Sequence, residues 1–127
     1  MDKILYKKEL LGIRIKKLSM GSNPISAEGD PLQLLTLKQP KGAQVKPHAH
    51  TPKKRATMHL QECIVVLKGK VRVDLYGDGT KVLKRVTLKK GETFITISGG
   101  HSVTFLENSE LIETKNGPFI KDRIDIV

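Results

Sequence analysis

Tryptophan is absent, aromatic residues make up only 4% of the 127-residue chain, and there is a single cysteine, Cys63. Each scarcity excludes something. One cysteine forbids an internal disulfide and suits a reducing compartment. Few aromatics leave little with which to stack nucleic-acid bases. Long apolar runs are missing too, so nothing approaches the ~18 residues a membrane-spanning helix needs. The first residues, MDKILYKKELLGIRIKK, hold no apolar run of signal-peptide length. The expectation is a cytoplasmic protein with no membrane partner. Its length suits one domain, spanning residues 1–127.

Helical periodicity is also missing: no window of helical length repeats apolar residues every 3.6 positions. Short alternating runs take its place. Residues 10–20, LLGIRIKKLSM, alternate from Gly12 onward and read as a strand, whereas GSNPISAEGDP, 21–31, reads as a loop. Strands are expected in LQLLTLKQ, 32–39, and AQVKPHAH, 43–50, with a polar loop at 51–57. Three β-rich runs follow between residues 58 and 88, punctuated at Lys68-Gly69-Lys70 and Gly77-Asp78-Gly79. After a turn at Lys89-Lys90-Gly91-Glu92, two or three more strands are broken at Gly99-Gly100 and Glu107-Asn108-Ser109. Turns every 8–12 residues indicate an all-β sandwich or barrel of about ten short strands. Edge strands at 10–18 and 32–37 need cover, and a homodimer is expected to provide it.

Charge is plentiful. The formal net charge is +10, from 23 Lys and Arg against 13 Asp and Glu. The basic residues are spread along the whole chain, as at Lys7-Lys8, Lys16-Lys17, Lys53-Lys54 and Lys89-Lys90, and only five are arginines. That scatter argues against a nucleic-acid partner and for a solvated surface that steers a small anion. Lys46 and Arg55 are candidate substrate contacts.

Three of the four histidines lie in GAQVKPHAHTPKKRATMHLQECIVVLKG, residues 42–69. In a strand His48 and His50 project to one face. Glu62 shares parity with Ile64 and Val66, which places a carboxylate on an apolar inner face, where it must be paired or bind metal. His59 and Cys63 have the opposite parity and are expected to face outward. His101, after Gly99-Gly100, can come round to join the others. Three imidazoles and a carboxylate suit one divalent transition metal such as iron, manganese, nickel, copper or zinc, rather than calcium or magnesium. For the later strand, Glu113 and Lys115 alternate with Ile112 and Thr114, and the pattern does not say which set faces inward.

Two stretches carry a family likeness. Gly42, His48, His50, Glu62 and Gly69 are spaced in a way that resembles the first motif of the cupin superfamily. Gly91-(five residues)-Ile97-Ser98-Gly99-Gly100-His101 resembles its second. The chain departs from that pattern in four ways, one being Phe105 where an asparagine often follows. Eleven residues separate His50 from Glu62, read as an enlarged loop; Ile97 stands where proline is usual; and the second motif is one residue short before His101. The resemblance implies a double-stranded β-helix barrel with a metal held by His48, His50, Glu62 and His101. The runs LQECIVVLKGKVRVDLYGDG and SGGHSVTFLENSELIETKNGPF also resemble a subgroup of small single-domain cupins often found beside genes for nucleotide-sugar and surface-polysaccharide synthesis. Implied functions are isomerisation or epimerisation of a small anionic or sugar-derived molecule, or dioxygenation. The alternative is a non-catalytic small-ligand sensor.

Overall fold

The computed structural model describes residues 1–126. Among them there is no helix, and so none long and apolar enough to cross a membrane. The all-β expectation holds. Ten strands form: β1 (Asp2–Tyr6), β2 (Glu9–Ile15), β3 (Gly21–Pro24), β4 (Leu35–Lys38), β5 (Glu62–Lys68), β6 (Lys70–Gly77), β7 (Lys84–Lys89), β8 (Thr93–Thr96), β9 (Gly100–Phe105) and β10 (Glu110–Lys115). They make a five-stranded sheet in the order β1-β2-β8-β5-β10, a three-stranded sheet β7-β6-β9 and a two-stranded ribbon β3-β4. Among the described residues none of the three closes on itself.

The chain divides into two compact units, Met1–Lys17 with everything from Gln61 onward, and Leu18–Leu60. The first unit contains both larger sheets, and their inner faces meet in one core. Leu11, Ile64, Val66 and Phe94 come from the five-stranded sheet; Val71, Val73, Leu75, Val86 and Leu88 come from the three-stranded one. Strict alternation in VRVDL sends Val71, Val73 and Leu75 inward and Arg72 and Asp74 outward. Burying each of these side chains contributes about 1.5–3 kcal/mol. Gly12 lies directly against Phe94: a Cβ there would sit 2.2 Å from the ring's Cζ.

The turns are of two kinds. β1 and β2 are a true hairpin, with Lys7 and Lys8 both at positive φ (47° and 70°). Gly69, at φ 87°, serves differently: it passes the chain from one sheet to the other, and its missing side chain makes room for Ser109 and the Asn108 carbonyl. The turns after β7, β8 and β9 likewise change sheet.

Several local expectations are corrected. Residues 43–50 form no strand; 41–60 are exposed and without regular structure. Lys, Pro and His in that run present no apolar face to bury. The strand expected from residue 58 begins at Glu62. β3 lies inside the stretch read as loop, and its partner is the second half of 32–39. β2, expected as an edge, is interior because β1, unforeseen, covers it. Cys63 is buried (4% exposed), as are Ile13, Ile15 and Ile95, so both faces of the central strands are covered.

The unit Leu18–Leu60 is organised around the β3–β4 ribbon. Ser26 ties its loop, donating to the Leu32 carbonyl (2.8 Å) and accepting from the Leu34 N–H (2.9 Å).

A candidate site where the two larger sheets meet

Glu62 opens β5 and is clamped by Thr96 of β8. Its N–H donates to Thr96 Oγ1 (3.0 Å), whose hydroxyl donates back to the Glu62 carbonyl (3.2 Å). This fixes the backbone while parity turns the side chain onto the face of Ile64 and Val66, as expected. The carboxylate therefore stands half-buried, with its side chain 17% exposed.

His101 arrives from the other sheet. It lies on β9 opposite Leu75 of β6, beside a register shift between Leu75 and Gly77. Gly99 makes the approach possible, because at φ 78° it passes so near Gly77 that a Cβ would stand 2.6–2.9 Å from Gly77's backbone. His101 Nε2 comes to 2.9 Å from Glu62 Oε2. An ionised carboxylate can only accept, so the imidazole donates.

Two further groups complete the cluster. Registers Glu113↔Ile64 and Lys115↔Glu62 put the Glu113–Lys115 set of β10 on the inner face. Lys115 Nζ lies 3.9 Å from Glu62 Oε1 and 4.0 Å from Glu113 Oε2. Alternation left this strand undecided, and only its pairing with β5 settles it. A narrow cleft bounded by Glu62, Thr96, His101, Val103 and Glu113 opens here above Val73 and Phe94.

The electrostatics separate the two carboxyls. The hydrogen bond from His101 holds Glu62 below its ordinary value, against burial, which raises it. Burial pushes Glu113 up, helped by its hydrogen bond with Glu62 and by repulsion from that carboxylate. The two neighbouring carboxyls are thus pushed in opposite directions, beside an imidazole. Such a group has the chemistry of proton exchange, in a cleft whose free volume of about 10 Å³ suits a water-sized molecule. Burial pushes the Cys63 thiol up, which disfavours the thiolate.

The other expected site residues belong to the exposed run 41–60. His48 and His50 lie together, with ring centroids 5.1 Å apart in an edge-to-face arrangement. His48 Nδ1 donates to the Lys46 carbonyl at 2.8 Å, which leaves Nε2 as the lone-pair nitrogen. Arg55 reaches back to the Lys53 carbonyl at 3.5 Å. His59 is exposed, as expected, but it precedes β5, so strand parity is not the reason. Imidazole nitrogens and a carboxylate oxygen have the donor chemistry of a divalent first-row metal. Among the described residues, however, no three His, Cys, Asp or Glu side chains are grouped closely enough to hold one. The structure supplies two pairs, His48–His50 and Glu62–His101. Compared with known proteins, the chain matches no family, no curated protein and no solved structure.

Proposed function

We propose that this chain is a metal-binding cupin that rearranges a small, anionic or sugar-derived molecule by proton transfer, as an isomerase or epimerase does. One observation carries the reading. Glu62 and His101, 39 residues apart and on different sheets, converge to 2.9 Å at the mouth of an apolar interior. That is the meeting the two motifs require. In this reading the two larger sheets are the halves of a double-stranded β-helix, and His48, His50, Glu62 and His101 hold one divalent transition metal. The metal, when bound, would polarise a carbonyl or hydroxyl oxygen of the substrate. The chain's own residues do the rest. Glu113 stands beside Glu62 as a second carboxyl for proton exchange, and Lys115 offers a cation to an anionic group.

The test is elemental analysis of untagged protein after exposure to iron, manganese, nickel and zinc. About one metal per chain is expected, lost in both the His48→Ala/His50→Ala and the Glu62→Ala/His101→Ala proteins and kept in His59→Ala. Full metal content in either double variant would refute the four-residue site. Solvent-deuterium incorporation into a panel of sugar phosphates and nucleotide sugars then tests the proton transfer.

A further inference from the structure

The outer face of the three-stranded sheet carries chemistry that the cleft does not use. Cross-strand register sets Lys70 opposite Lys89, Arg72 opposite Thr87, and Asp74 opposite Arg85. On the other flank Thr104 stands opposite Arg72 and Ser102 opposite Asp74. Parity points all of these away from Val71, Val73 and Leu75, which fill the core. Four cations and one carboxylate therefore share one face. With a rise of about 3.3 Å per residue, the four-residue step from Lys89 to Arg85 covers about 13 Å.

Asp74 makes this more than a solvated lysine surface. Its side chain is only 7% exposed, accepts from Arg72 Nε (2.8 Å) and Nη2 (3.1 Å), and is ion-paired with Arg85, whose Nε lies 3.4 Å away. Each guanidinium has five N–H donors, so Asp74 occupies only part of each fork. The arginines are thus held on paired strands by a buried carboxylate, with donors to spare. Side chains ordered in advance lose less freedom when a ligand arrives. Planar forks match phosphate oxygens two at a time, which lysine cannot do.

We propose that this face binds a linear phosphate polyanion, a phosphodiester or polyphosphate chain. Arg72 and Arg85 grip phosphate oxygens, and Lys70 and Lys89 neutralise the neighbouring groups along the stripe. A stripe of about 13 Å is longer than a single phosphate requires. Tyr76 is the one aromatic of this face, and its hydroxyl is engaged with Ser102 (3.3 Å), so the chain of phosphates is read and not the bases. The lysines that are scattered in sequence are gathered here by strand register.

Fluorescence anisotropy with a labelled 20-mer oligothymidylate, titrated at several salt concentrations, tests this. Unlabelled inorganic polyphosphate and polyglutamate serve as competitors. Four phosphate contacts give a slope of log K against log salt of about −2.8. The Lys70→Ala/Arg85→Ala/Lys89→Ala protein, which keeps the Arg72–Asp74 fork, should fall to about −0.7. Lys16→Ala/Lys17→Ala/Lys121→Ala removes the same charge elsewhere and should leave the slope unchanged. Competition by polyphosphate identifies recognition of phosphate alone, and its failure identifies a nucleic-acid backbone as the source. Three results would each overturn the proposal: no binding at about 50 mM salt, where such contacts are strong; equal losses in the two triple variants; or polyglutamate competing as well as the phosphate chains.

Discussion

Glu62 and Asp74 are both secluded carboxylates on consecutive strands that belong to different sheets, and they are satisfied in opposite ways. Asp74 is enclosed by two guanidiniums that carry charge at every accessible pH. Glu62 faces an imidazole, charged only when protonated, a second carboxyl, and an ammonium held no closer than 3.9 Å. The first arrangement sets the carboxylate among permanent charges. The second sets it among titratable groups beside a narrow cleft. Burial of a carboxylate is therefore a weak sign of a reactive site, whereas burial among groups that themselves titrate is a strong one.

Four substitutions press on this difference. The largest effect belongs to Gly99→Ala. A left-handed alanine costs about 1–2 kcal/mol, and overpacking against Gly77 adds about 1–3. Urea denaturation should show a loss of about 3 kcal/mol. The Glu62–His101 contact should be lost with it, while the Arg72–Asp74 fork persists. Retained stability would mean that the backbone at Gly99 can move aside. Asp74→Ala comes next. It strands two guanidiniums, but they are partly solvated, so the cost should lie below the 3–5 kcal/mol of a fully buried pair, at about 2 kcal/mol.

Glu62→Gln keeps hydrogen-bonding capacity toward His101 and loses the charge, for about 1 kcal/mol at pH 7. Its signature is pH dependence. Because the folded protein lowers Glu62, the pair adds stability that is fully present above the ordinary carboxylate range. That contribution is lost as pH falls through the folded value, and the glutamine protein should lack the loss. Acid-unfolding curves that superimpose for the two proteins would sink the assignment. The smallest effect is expected from Glu113→Gln, and its sign is opposite. Glu113 is raised in the folded state, so relative to the amide it favours folding at low pH and loses that advantage as pH rises through its folded value. At pH 7 the glutamine protein should be as stable as the parent or slightly more so in thermal melts. Destabilisation there would show that Glu113 is held ionised by Lys115.

Much of the fold can be read locally. Alternation in ECIVV and KVRVDL identifies two central strands and places Glu62, Val71, Val73 and Leu75 inward, because side-chain period in a strand is fixed by backbone geometry. Gly69, Gly77 and Gly91 mark turns because all three adopt positive φ. Reading fails where the local signal is ambiguous. Lys7 and Lys8 carry no turn chemistry, yet both sit at positive φ, and β1 goes unnoticed with them. Cys63 reads as outward because parity says which residues share a face, and says nothing of whether both faces are buried. In ELIETK each face holds one aliphatic residue among polar ones, so only the register against β5 turns Glu113 and Lys115 toward the cleft.

By itself, then, the sequence determined an all-β chain, its glycine-marked turns and the inward parity of Glu62. Backbone stereochemistry and side chains two residues apart settle these, and neither depends on distant partners. Tertiary structure alone decided that Glu113 and Lys115 join Glu62 and His101, and that Lys70, Arg72, Arg85 and Lys89 share one sheet face with Asp74. Each of these is a matter of which strands pair and in what register. A shift of one residue would turn every one of those side chains to the opposite face.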